Sequence, residues 1–139
     1  MSVSRFLPMI NRRLSWYRPD KYKCRRYNVV AIATNLNGDL EVSAFNGPVF
    51  TDCTNEVGKC GCIHAEQRLI ICHYEVVKRI QDPILVVNTS PCKTCANLIV
   101  ESGLFSSCYY NRVYHGNDYR GIDTMKMAAI NVIRLTKED

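Results

Sequence analysis

Four side chains of the 139-residue chain have types and spacing suited to hydrolytic metal chemistry: His64 and Glu66 in His64-Ala65-Glu66, and Cys92 and Cys95 in Pro91-Cys92-Lys93-Thr94-Cys95. Both segments are expected at the starts of helices. Thiols three residues apart at a helix start can turn toward one point, and the positive helix end favours their thiolate forms. His64 then completes a three-ligand set suited to zinc. Three protein ligands leave the fourth tetrahedral position to water, as in a catalytic rather than a structural site. Zinc lowers the pKa of its water to about 7, which makes hydroxide accessible near neutrality. Glu66, two residues beyond a ligand, is placed to reach that water from outside the coordination sphere, and its expected role is general acid and base. Taken singly, a Cys-x-x-Cys pair is equally a redox pair or half of a structural zinc site. The combination with imidazole, carboxylate and proline selects the catalytic reading.

These residues need a scaffold, and the pattern of the chain supplies one. Residues Arg5 to Trp16 read as an amphipathic first helix, closed at Tyr17-Arg18-Pro19 because proline disfavours helix in the residue before it. Tyr27 to Asn35 and Leu40 to Phe45 read as strands joined by a hairpin at Asn37-Gly38. Asn46 to Cys62, with Gly47, Pro48, Gly58, Gly61 and three cysteines, suits an irregular loop. A helix follows over Ile63 to Ile80, with Leu69, Cys72, Val76 and Ile80 as its apolar stripe, and Asp82-Pro83 ends it. Ile84 to Asn88 is a strand, Pro91 opens a helix that Gly103 stops after Ser102, and Cys108 to Tyr114 is a further strand. A short helix over Ile122 to Ala129 and a strand over Ile130 to Leu135 complete the series. Helices alternating with strands after an opening hairpin imply an α/β fold with a mixed sheet covered on its faces.

A hydrophobic content of 47% over 139 residues fits one domain spanning residues 1–139. The formal charge of +5 favours anionic partners, a nucleotide or a nucleic acid. Arg5, Arg12 and Arg13 interrupt the apolar N-terminus, which therefore lacks the run of a signal peptide or membrane span. A cytoplasmic location is expected, where eight cysteines serve as thiols or metal ligands rather than as a disulfide framework.

His-x-Glu followed by Pro-Cys-x-x-Cys resembles the signature of zinc nucleobase deaminases, and the chain is similar to the cytidine and deoxycytidylate deaminase superfamily from about Arg25 to Leu135. Phe45-Asn46-Gly47-Pro48 resembles the Tyr-Asn-Gly-x-Pro segment of deoxycytidylate deaminases, which implies that Asn46 contacts the nucleotide sugar. Ala96-Asn97-Leu98-Ile99 with Ser102-Gly103, and Tyr110 with Tyr114, resemble later family segments. By the same resemblance Tyr114 lines the base or phosphate pocket, unless it is ordinary strand packing, and the Ala65 backbone contacts the base. The implied fold is a three-layer α/β/α sandwich around a five-stranded mixed sheet. The implied reaction is conversion of dCMP to dUMP with release of ammonia. The resemblance further implies a homo-oligomer, commonly a hexamer, regulated by nucleoside triphosphates with magnesium. Two departures stand out. Position 68 is Arg where Asn is usual, a guanidinium that either grips a phosphate or, the preferred reading, faces solvent; and Ala128-Ala129-Ile130 replaces Ala-Gly-Ile.

Cys24, Cys53, Cys60 and Cys62 remain after the catalytic pair is assigned. They either close a second, structural zinc site, as in some phage members of the family, or are scattered thiols. Cys72 and Cys108 read as core residues. Two other functions stay open: deamination of a base within RNA or DNA, for which the basic and aromatic Lys21 to Tyr27 stretch is the one candidate contact, and a zinc-folded binding module without turnover.

Overall fold

A computed structural model describes residues 5–16, 28–48 and 62–136. Helix α1 (Phe6–Leu14) precedes strands β1 (Val30–Thr34) and β2 (Glu41–Phe45). Then come α2 (Ala65–Lys78), β3 (Ile84–Thr89), α3 (Lys93–Ser102), β4 (Ser107–Arg112), α4 (Arg120–Met127) and β5 (Asn131–Arg134). The strands form one five-stranded sheet in the order β2-β1-β3-β4-β5. β1 is antiparallel to both β2 and β3, whereas β3, β4 and β5 run parallel. This is the expected α/β sandwich with a mixed sheet.

Period-two alternation divides the sheet between two apolar layers. Ala31, Ala33, Leu85, Val87, Cys108 and Tyr110 face a core completed by Leu69, Val77, Ala96, Ile99, Ile122 and Met125 from α2, α3 and α4. Val30, Ile32, Ile84, Val86 and Tyr109 face the other way, onto Phe6, Met9 and Ile10 of α1. Because both faces are covered, β1 and β3 are apolar almost throughout rather than alternating with polar residues. Glu41 on β2 binds both Arg12 and Arg13, which ties α1 to the edge strand. Among the described residues no helix is long and apolar enough to cross a membrane.

The hairpin turn is where the Asn37-Gly38 signal puts it, with the Gly38 amide donating to the Asn35 backbone and side-chain oxygens. α3 ends at Gly103, whose φ of 65° is the left-handed cap that glycine adopts without strain. The stripe expected on α2 needs correction. Leu69 and Ile80 are buried, but Cys72 is exposed and Val76 is half exposed; the inward face is Ala65, Glu66, Leu69, Ile70 and Val77. Buried Glu66, Ile70, Val77 and Ile80, with half-buried His73 between them, keep helical spacing even though His73 itself is non-helical (φ −124°, ψ 19°), and the expected stripe through Cys72 and Val76 lies one residue off it. The strand expected to reach Tyr114 stops at Arg112.

The carboxyl ends of the parallel strands share one edge, the place where open α/β sheets form their ligand crevices. β3 leads there into Ser90-Pro91-Cys92 and β4 into the segment before α4. Gly121 lets α4 close onto this edge: a Cβ at that position would lie 2.0 Å from the Pro91 carbonyl oxygen and 3.0 Å from that of Cys92. Both obstacles are backbone, so no rotamer change relieves them. Gly121→Ala is expected to destabilise the fold by about 2 kcal/mol, as overpacking of a close contact does, and to lower zinc retention; thermal denaturation with metal analysis of the purified variant checks both.

Candidate active site

Two helix starts converge at that edge. His64 is the N-cap of α2 in extended conformation, and its backbone amide donates to Gln67 Oε1 at 2.9 Å, a capping bond that fixes the entry of the chain into the helix. Cys92 is the N-cap of α3, and its sulfur accepts from the Cys95 amide at 3.4 Å. Capping thus orients both ligands before any metal chemistry begins. His64 Nδ1 lies 3.1 Å from Cys95 Sγ and 3.6 Å from Cys92 Sγ, and the three ligand atoms all fall within 4.8 Å of one another.

Without metal, the Cys92 pKa is lowered to about 4, chiefly by its side-chain hydrogen bond with Cys95, against burial, with His64 and the Cys95 amide adding to the lowering. Cys95 is pushed up correspondingly, first by that bond and then by burial. The His64 pKa is raised, chiefly by its bond to Cys92. A tetrahedral zinc with bonds of about 2.0–2.1 Å to nitrogen and about 2.3 Å to sulfur separates such ligand atoms by about 3.6–3.8 Å. The two distances from His64 Nδ1 to the sulfurs, 3.1 and 3.6 Å, lie within about half an ångström of that. Imidazole with two cysteine sulfurs is therefore a donor set that fits zinc, which would replace the shared protons on binding.

Glu66, on the first turn of α2, is 4% exposed. Burial drives its pKa up to about 7, against the lowering effect of its backbone hydrogen bond and of His64; Cys92 adds a smaller raising contribution. A carboxyl with that pKa can accept or release a proton near neutral pH. Cys108, expected in the core, is fully buried, and burial pushes its thiol up.

The remaining sequence candidates are distributed around this centre. Ala65, the first residue of α2, is fully buried. Asn46 is buried at the end of β2, where its Oδ1 accepts from the Val29 amide at 2.9 Å. Tyr114 lies beyond β4; its amide donates to Ser90 Oγ at 2.7 Å and its ring stands 4.2 Å from that of His115. Cys62 is half-buried just before His64, whereas Cys24, Cys53 and Cys60, like the Lys21 to Tyr27 stretch, lie outside the described residues. Arg68 is half-buried rather than solvent-facing: its guanidinium donates to the carbonyls of Phe45, Gly47 and Pro48.

Some supporting residues escaped the sequence reading. Ser90, 1% exposed, joins the loop before α3 to the end of β4 by donating its amide to Arg112 and accepting from Tyr114. Asn88 closes the head of β1, accepting from the Val30 amide and donating to the Asn28 carbonyl. A buried polar residue ending an apolar strand was the available signal for both.

The family described as the cytidine and deoxycytidylate deaminase zinc-binding region matches residues 14–111, and the chain belongs to it: it is a deaminase-family enzyme, a zinc-dependent hydrolase. Among solved structures, the dCMP deaminase of cyanophage S-TIM5 in complex with dCMP and dUMP is similar with a TM-score of 0.76 at 23% identity, over 97% of this chain and 99% of that one. The diaminohydroxyphosphoribosylaminopyrimidine deaminase/5-amino-6-(5-phosphoribosylamino)uracil reductase of Thermotoga maritima gives 0.70 at 17%, over 96% of this chain and 37% of that one. The guanine deaminase of Nitrosomonas europaea gives 0.64 at 13%, over 99% and 79%. At these identities the likeness is one of fold. No curated protein sequence matches the chain.

The Glu66 carboxyl has a consequence for stability. Its folded pKa of about 7 lies above the ordinary 4.5, so the folded chain keeps a proton that the unfolded chain releases between those values. Stability of the metal-free protein therefore falls as pH rises through that window, by up to about 3 kcal/mol. Metal-free Glu66→Gln is expected to be more stable than metal-free wild type at pH 8, and nearly equal to it at pH 4, in urea titrations at the two pH values.

Proposed function

We propose that the protein deaminates a free cytosine deoxynucleotide, dCMP to dUMP and ammonia, with His64, Cys92 and Cys95 as the zinc ligands. The observation that carries this reading is the buried, near-neutral Glu66 carboxyl beside the His64, Cys92 and Cys95 cluster. Bound zinc would supply Lewis acidity to the attacking water. Glu66 takes one proton from the water and delivers it to ring nitrogen N3 as the C4–O bond forms, then passes the remaining hydroxyl proton to the amino group, which leaves as ammonia as the C4–N bond breaks and C4=O forms. The buried Ala65 backbone faces the base in this scheme, Asn46 the sugar, and Tyr114 the pocket wall.

Choice of base is the finer question, since similar folds include a guanine deaminase and a pyrimidine-intermediate deaminase. Two things favour cytosine: the family matched, and a dCMP deaminase similar over nearly the whole length of both chains. Oligomerisation as a homo-oligomer and a second zinc on Cys24, Cys53, Cys60 and Cys62 belong to the same proposal.

The test is ammonia release by zinc-loaded protein from deoxycytidine, dCMP, dCTP, CMP, guanine and a single-stranded oligonucleotide. Preference for dCMP is expected; activity confined to guanine or to the oligonucleotide overturns the substrate. Glu66→Gln is expected to lower kcat at least 100-fold, within the range contributed by a positioned acid–base group, while retaining zinc. Metal analysis is expected to give two zinc per chain, falling to one in Cys60→Ser.

A further inference from the structure

Arg68 stands four residues after His64 on α2, and its side chain is spent on one short stretch of backbone. Nη1 donates to Phe45 O at 2.9 Å, and Nη2 donates to Gly47 O and Pro48 O at 3.2 Å each. Among the described residues no ion pair involves it. A planar guanidinium spans three converging carbonyls in a way that a single ammonium does not. The same strap is tied twice more. Gly47 and Ile63 exchange backbone bonds at 3.2 and 2.8 Å, one residue before His64, and Asn46 exchanges two bonds with Val29, through its own amide and its Oδ1.

We propose that Arg68 is a positioning residue for substrate: its fork holds the Phe45–Pro48 strap against the start of α2 and so sets Asn46 relative to the metal centre. The inference rests on the proposed reading in which Asn46 touches the nucleotide. The α2 helix carries His64 and Glu66 at one end and Arg68 one turn further on, so a single rigid element fixes both the reacting groups and the strap. Loss of the fork leaves the strap its ties to Val29 and Ile63. The fold therefore survives, while the strap loses its third anchor and substrate binding weakens.

Steady-state kinetics of Arg68→Met, with zinc content and hydrogen exchange at the Gly47 and Ile63 amides, test this. The expected result is a rise in KM of about tenfold with kcat within about threefold of wild type, zinc retained, and faster exchange at both amides. Arg68→Lys, which keeps the charge but reaches fewer carbonyls, is expected to fall between, and it carries the same readouts if Arg68→Met does not fold. Asn46→Asp keeps the acceptor for the Val29 amide. In that background Arg68→Met is expected to add little to KM, because the two act as one unit. An unchanged KM, equal penalties in the two backgrounds, or zinc loss parallel to the kinetic loss overturns the proposal. If wild type releases ammonia from none of the substrates, the functional reading fails; the exchange data then decide the clamp on their own, and unchanged exchange overturns it.

Discussion

The contact of His64 Nδ1 with the sulfurs of Cys92 and Cys95 joins the starts of two helices that follow different strands, and most of the structure serves to keep those starts within reach. α2 enters from the segment after β2, α3 from the end of β3, and the pairing of β1 with both β2 and β3 sets their separation. Each ligand is also a cap: Gln67 holds the His64 amide, and the Cys92 sulfur takes the Cys95 amide. Orphan donors at helix starts require partners in any case, so the same bonds that finish the helices orient the donor set. Gly121 completes the enclosure, since only a residue without a side chain lets α4 lie against the backbone of Pro91 and Cys92.

Burial of Glu66 is the electrostatic counterpart of this geometry. An ionised carboxylate is costly in an apolar layer, and burial accordingly pushes the Glu66 pKa up to about 7. A group placed for stability alone would have been aliphatic, as its neighbours Leu69 and Ile70 are. Functional sites are where such local conflicts are expected.

The metal-binding cluster and the fold do not by themselves define a base. Similar architectures act on pyrimidine and purine substrates by the names they carry, so discrimination belongs to the segments around the cluster. Two of these are tightly fastened here: the Phe45–Pro48 strap, by Arg68, Val29 and Ile63, and the region after β4, by Ser90. Each is anchored to an element that also carries a residue of the metal-binding cluster, so neither segment moves independently of His64 or Cys92.

The chemistry was legible in the residues themselves, because metal ligation demands particular atom types at short spacings: His64, Glu66, Cys92 and Cys95 announce it, and the alternation of apolar strands and helices announces the sandwich. Hairpin and cap signals at Asn37-Gly38 and Gly103 also sufficed, being local backbone requirements. The face of α2 was not legible, because apolar Ile71, Cys72 and Val76 stand on its exposed side while the charged Glu66 is buried. Nor were the partners of Arg68, which lie twenty or more residues earlier in the chain. Spacing along a chain reports which groups can share a helix turn or a strand face; which carbonyls meet a guanidinium, and which glycine a backbone lies against, is decided only when separate elements pack.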